Sequence, residues 1–169
     1  MLPLLLHVDS RDYALDRPPV RQRKLTPQQR MALTYTPQVL LQGRAYPGWG
    51  TSAFEQSVAK INALPSPVLI RLEILSLVAG SIEVAAAAEL LEPSRADTAL
   101  YLAAYADREE KGYAVLQWEG PFALGTTPLA LRRLLPLLPG ALPANSGVVG
   151  LVQNRRTAEV LQALLLAAC

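Results

Sequence analysis

The chain has 169 residues, 51% of them hydrophobic and 18% charged, with a formal net charge of +2. That balance excludes a disordered tail, and the length suffices for one large domain or two small ones around a substantial core. A single cysteine, Cys169, excludes an intrachain disulfide and a CxxC redox pair. No apolar run approaches the ~20 residues that a membrane-spanning helix needs.

In chain order, residues 2–9 (LPLLLHVD) read as a buried strand and 10–25 as a polar loop containing Pro18-Pro19. The basic residues Arg17, Arg21, Arg23 and Lys24 gather in that loop. They lack the aromatic interleaving of a nucleic-acid surface, so the reading is a solvated face and no nucleic-acid partner. Thr26 as N-cap and Pro27 at the first helical position start a short helix over 26–33.

The stretch TYTPQVLLQGR, 34–44, places Pro37 immediately before an apolar strand. Proline supplies no backbone donor and therefore belongs at a strand's first residue or edge. Gln38 to Leu41 reads as that strand, Gln42-Gly43-Arg44 as a tight turn, and Ala45 to Trp49 as the return strand. A helix follows over 51–64, with Ser52 and Glu55 as a capping box and Phe54, Val58 and Ile61 along one face. Leu64-Pro65-Ser66-Pro67 marks a boundary, giving an α/β part, 1–65, and a β-rich part, 66–169, packed as one unit.

Beyond Pro67 the period becomes two. Val68, Ile70, Leu72 and Ile74 alternate with Arg71 and Glu73, which predicts a strand over 68–78. A turn at Ala79-Gly80 leads into a strand over Ser81–Leu91, where the alternation of Ile82, Val84, Ala86 and Ala88 outweighs the helical preference of alanine. Further strands are predicted at 98–106 and 113–119, around the charged turn 107–112. Residues 128–138 read either as a short helix or as an extended, proline-bracketed segment. Gly147–Gln153 reads as the last strand and Thr157–Ala168 as a terminal helix with Leu161, Leu164 and Leu165 inward.

Few residues suit chemistry. His7 is the only histidine, and with Asp9 it forms a pair on one face of a strand. A metal site or general base uses such pairs, but no third ligand accompanies this one, and a locally bonded histidine accounts for it equally well. Neither a G-x-S-x-G elbow nor a phosphate-binding glycine loop occurs. No cofactor and no metal are implied.

His7-Val8-Asp9, Asp12-Tyr13, Thr26 with Gln29-Arg30, Tyr35-Thr36-Pro37-Gln38 and Gly43-Arg44 together resemble a predicted-secreted bacterial family, domain of unknown function 1223. In the tail, Leu131-Arg132-Arg133-Leu134 and Val152-Gln153 are similar to that family's arginine-paired segment and final V-Q strand. The resemblance implies an incomplete thioredoxin-like α/β domain, with a cis-proline hairpin at Thr36-Pro37 plus helices, followed by a β-rich region with a terminal helix. It also implies a periplasmic or secreted location. The family's cysteine-bearing strand-helix unit would lie upstream of Met1, so the expectation is a shortened or degenerate member without redox catalysis. Thiol–disulfide exchange needs a low-pKa thiolate and a resolving partner, and this sequence offers neither in that place.

Two functional expectations follow. One is binding of an extended peptide or protein partner near Tyr35, Thr36, Pro37 and Gln38, with His7 and Asp9 alongside. The other is a structural or homodimerising module, since a sheet lacking its first strand-helix unit leaves an edge to be covered. A hydrolytic or metal site at His7 and Asp9 ranks behind both.

Overall fold

The computed structural model describes residues 4–5, 39–78, 80–92, 97–107, 113–115, 118–137 and 140–168. Its elements are β1 (Leu4–Leu5), β2 (Leu40–Leu41), β3 (Arg44–Ala45), α1 (Ser52–Asn62), β4 (Val68–Val78), β5 (Ser81–Leu90) and β6 (Thr98–Asp107). They continue as β7 (Tyr113–Val115), β8 (Glu119–Ala123), β9 (Leu129–Pro136), a short 3₁₀ turn at Pro143–Asn145, β10 (Ser146–Asn154) and β11 (Val160–Ala167).

These strands form a large sheet in the order β1-β7-β6-β10-β11 and a smaller one in the order β4-β5-β9. All described pairings are antiparallel except β1 with β7. β6 shares one flank between two short neighbours: β8 pairs with its first half and β7 with its second. The two sheets close on each other as a β-sandwich. Val68 and Ile70 of β4 and Ile82, Val84, Ala86 and Ala88 of β5 meet Leu100 and Leu102 of β6 and Val148 and Val152 of β10 in one buried cluster. Each large aliphatic side chain removed from water there contributes about 1.5–3 kcal/mol.

The central strands of the large sheet, β6 and β10, are buried on both faces. Behind β6 and β10, on the side away from the sandwich core, lies a second cluster of Ala103, Tyr105, Val115 and Val149, packed by Tyr113, Trp118 and Leu165. This explains why β6 (TALYLAAYAD) and β10 (SGVVGLVQN) read as continuous small and apolar runs without alternation: both faces need apolar residues. Gly147 sits opposite Tyr105 in the register, and the Tyr105 ring lies 2.6 Å from where a Cβ would stand. The ring thus covers the bare backbone of the glycine.

The α/β thioredoxin-like architecture expected from the sequence is not what the chain adopts. Among the described residues there is one α-helix, α1, and the structure is mostly β-sheet. The β2–β3 hairpin forms a separate two-stranded sheet and does not enter a central sheet flanked by helices. The terminal helix at 157–168 is instead the strand β11, paired with β10 from Gly147↔Ala167 to Gln153↔Val160. Leucine and alanine favour helix locally, but the open flank of β10 offers a full ladder and an apolar surface, and tertiary pairing overrides a preference of a few tenths of a kcal/mol per residue. Within the expected segment 128–138, Leu129–Pro136 takes the extended option as β9, and the single strand expected at 113–119 is replaced by β7 and β8. The strands expected at 68–78 and 81–91 are present as β4 and β5.

The hairpin and α1 hold each other. Gln42 and Gly43 both have positive φ, 48° and 81°, the conformation of a two-residue type I′ turn. Tyr46 links hairpin to helix: its ring meets Phe54 edge-on at 5.4 Å, and its hydroxyl lies 3.1 Å from Ser57 Oγ. The expected capping box of Ser52 and Glu55 does not form. Thr51 is the N-cap, and its hydroxyl donates to the Gly48 carbonyl at 2.6 Å instead of capping the helix. The turn seats this unit on the sandwich, where Val160 N–H donates to the Gln42 carbonyl at 3.1 Å. At Gly43 any Cβ would collide with the Ala158 carbonyl, so only glycine allows the contact.

Candidate interaction surface

Tyr35, Thr36, Pro37, Gln38, His7 and Asp9 all lie outside the described residues, as does Cys169. The surface that the described residues build is elsewhere: the outer face of the three-stranded sheet. The alternation of β4 sends Val68, Ile70, Leu72 and Ile74 into the sandwich and leaves Leu69, Arg71 and Glu73 exposed on the other side. On β5 the inward residues are Ile82, Val84, Ala86 and Ala88, while Ser81, Glu83, Ala85 and Ala87 face out. On β9 the outward set is Ala130, Arg132 and Leu134.

Register turns these into cross-strand rows. Arg71, Ala87 and Ala130 form one row; Glu73, Ala85 and Arg132 form the next. Because the middle strand shows only methyl groups in these rows, the long side chains of β4 and β9 stand as walls over an alanine floor. The result is a shallow concavity of about 570 Å³. A third row carries Ser76, Glu83 and Leu134, in which the Ser76 hydroxyl donates to the Glu83 carboxylate at 2.8 Å. That bond sits beside the bulge between Ile74 and Ser76, which restores the outward phase of β4 after one extra residue.

Exposed apolar side chains stand on the outward phase of this sheet: Leu69, Val78 and Leu134 are 37%, 51% and 54% exposed. Half-buried and buried residues dominate the large sheet by contrast. The surface therefore combines apolar area with charges of both signs, arranged by the strand register.

The arginine pair at 132–133 divides between the faces. Arg132 points outward, whereas Arg133 lies opposite Val84 on the sandwich side of the edge strand β9. Its guanidinium stacks over the Phe122 ring at 4.7 Å and approaches Glu119 at 3.8 Å. It closes the margin where β8 gives way to β9, a structural task. Among the described residues no group of His, Cys, Asp and Glu could hold a metal ion, and no helix is long and apolar enough to cross a membrane.

Among the described residues one titratable group is strongly perturbed, and it belongs to the second core. Burial, with the neighbouring Tyr113 and Asp107, pushes the Tyr105 phenol from 10.0 up to about 12. The Tyr113 ring meets it edge-on at 5.0 Å. Desolvation disfavours the phenolate, so Tyr105 stays neutral and acts as packing.

Sequence reasoning placed Arg71 and Glu73 on one face of a strand and assigned that face no role. It read 81–91 as a strand from the inward alternation of Ile82, Val84, Ala86 and Ala88, and nothing local marks the outward Ala85 and Ala87 as the floor of a surface. The register to β9, which brings Arg132 into line, has no local signature. The fold and site define a two-sheet β-sandwich with one open, mixed-charge sheet face. No family model matches the chain, and no curated protein matches it. Among solved structures it is similar to HBP35 of Porphyromonas gingivalis, with a TM-score of 0.65 and 11% identity, over 86% of this chain and 56% of that one. A domain of the outer membrane lipoprotein Omp28 from Porphyromonas gingivalis has a TM-score of 0.45 and 14% identity, over 62% of this chain and 89% of the other. At 11% identity the likeness to HBP35 is one of fold, and this chain spans little more than half of that structure's length.

Proposed function

We propose that the chain is a non-catalytic β-sandwich module that works by contact, as a structural or dimerising unit, through the outer face of β4, β5 and β9. One observation carries this reading: the alanine floor of β5 lies between exposed Arg71, Glu73 and Arg132, with exposed leucines at its corners. Surfaces that mix exposed apolar area with a charged rim are where soluble proteins meet partners. A binding role for Thr36 and Pro37 toward an extended segment is retained as a secondary proposal on the sequence resemblance alone. The periplasmic or secreted location implied by that resemblance belongs with it, and fractionation of producing cells tests it.

The experiment for the contact surface is site-specific photocrosslinking in the cells that produce the chain. A photoreactive residue replaces Ala87 on the open face, and Ala53 on the exposed side of α1 serves as the control. Protein adducts are expected from position 87 and not from position 53. Absence of adducts from position 87 would overturn the reading.

A further inference from the structure

The charges on the open face are self-complementary under a two-fold rotation. Glu73 and Arg132 belong to one cross-strand row and stand on opposite sides of Ala85. A two-fold axis running parallel to β5 over Ala85 exchanges the β4 side of one copy with the β9 side of the other. It therefore lays Glu73 over the partner's Arg132 and Arg132 over the partner's Glu73. Both side chains are exposed, and neither has an ion-pair partner among the described residues. We propose that the partner of this face is a second copy of the chain, docked face to face through reciprocal Glu73–Arg132 ion pairs; this rests on the contact reading above.

The dimensions agree. Sheets stacked face to face lie ~10 Å apart, a gap that an extended glutamate and arginine reaching toward each other span. Small residues on the middle strand leave room for the long side chains of the walls to lean inward. Because each sheet is twisted, the rows coincide best over Ala85 and separate toward the strand ends. The like-charge meeting that the axis imposes on Glu83 is relieved by its bond to Ser76, which draws the carboxylate toward β4 and off the two-fold line. An isologous contact of this kind also closes on itself and does not propagate into a filament.

Sedimentation equilibrium on the purified chain tests this. The expected species at tens of micromolar is twice the 18.3 kDa chain mass. Each charge reversal, Glu73→Arg or Arg132→Glu, changes two contacts at once and sets like charges together, so each should weaken association by about tenfold or more. The combined exchange, E73R with R132E, should restore the dimer to within about threefold of the original, and high salt should weaken the original dimer. A wild-type monomer at every concentration would overturn the proposal, as would single reversals without effect or an exchange that fails to restore. Circular dichroism and thermal melts confirm that each variant is folded; if a single reversal unfolds, the salt series on the wild type decides. Failure here stays distinct from failure of the contact reading. Photocrosslinks from position 87 to a protein of another mass would keep an interaction surface and reject the second copy.

Discussion

The two sheets of this sandwich use alanine in opposite ways. In the large sheet, Ala103 and Ala104 of β6 are buried on opposite faces, because a strand packed on both sides has no room for walls of long side chains. In the small sheet, Ala86 and Ala88 serve the core while Ala85 and Ala87, one residue out of phase, form the floor of an open surface. The same residue type is a spacer between layers in one sheet and the floor of an open surface in the other. What decides is whether a second layer lies above it. Burial on both faces makes a strand structural; burial on one face leaves the other available for function.

Substitutions should separate the sheets sharply. Leu102 is fully buried between them, and truncation to alanine is expected to cost about 3 kcal/mol of stability in denaturant unfolding. Leu134→Ala on the open face should stay within about 0.5 kcal/mol in the same assay. Equal effects at the two sites would erase the distinction. Gly147→Ala tests the large sheet's tight outer packing: its methyl would meet both the Leu166 carbonyl and the Tyr105 ring. The expected loss is about 2 kcal/mol or more, because the Leu166 carbonyl belongs to the β11 backbone and cannot swing aside as a side chain can.

A pH series sharpens the comparison from the same core. Tyr105 has a folded-state pKa raised to about 12 against 10.0 for the free group. Below pH 10 the phenol is neutral in both states, and its contribution is fully present. Between pH 10 and 12 the unfolded chain ionises first, so stability falls as pH rises. The loss is on the order of 2 kcal/mol by pH 12. In Tyr105→Phe that part of the alkaline decline should disappear, measured by urea midpoints at pH 9 and 11.

How much of this was legible in the sequence depended on how local each signal was. The alternation in 68–78 and 81–91 gave two strands, because one face is wet and the other dry. The positive-φ turn at Gln42-Gly43 and the helix after Thr51 were legible for the same local reason. The terminal strand was not, since VLQALLLA carries leucine at helical spacing and only the flank of β10 tells it to extend. Nor was the thioredoxin-like expectation reliable as a guide to architecture. It rested on motifs at 7–9 and 35–38, while the fold is set by registers among strands 30 and more residues further on. The candidate surface had the least local signature of all. It exists only because β9 returns beside β5 and carries Arg132 into the row of Glu73 and Ala85.

The alanine methyl groups themselves report which face of the molecule meets a second copy. In a methyl-labelled sample, spectra recorded from micromolar to near-millimolar chain concentration should show Ala85, Ala87 and Ala130 shifting together. The core alanines Ala86, Ala88, Ala103 and Ala104 should hold still. Shifts confined to the open face would establish it as the contact surface between copies; shifts spread evenly over both sets, or absent from the open face, would contradict the account.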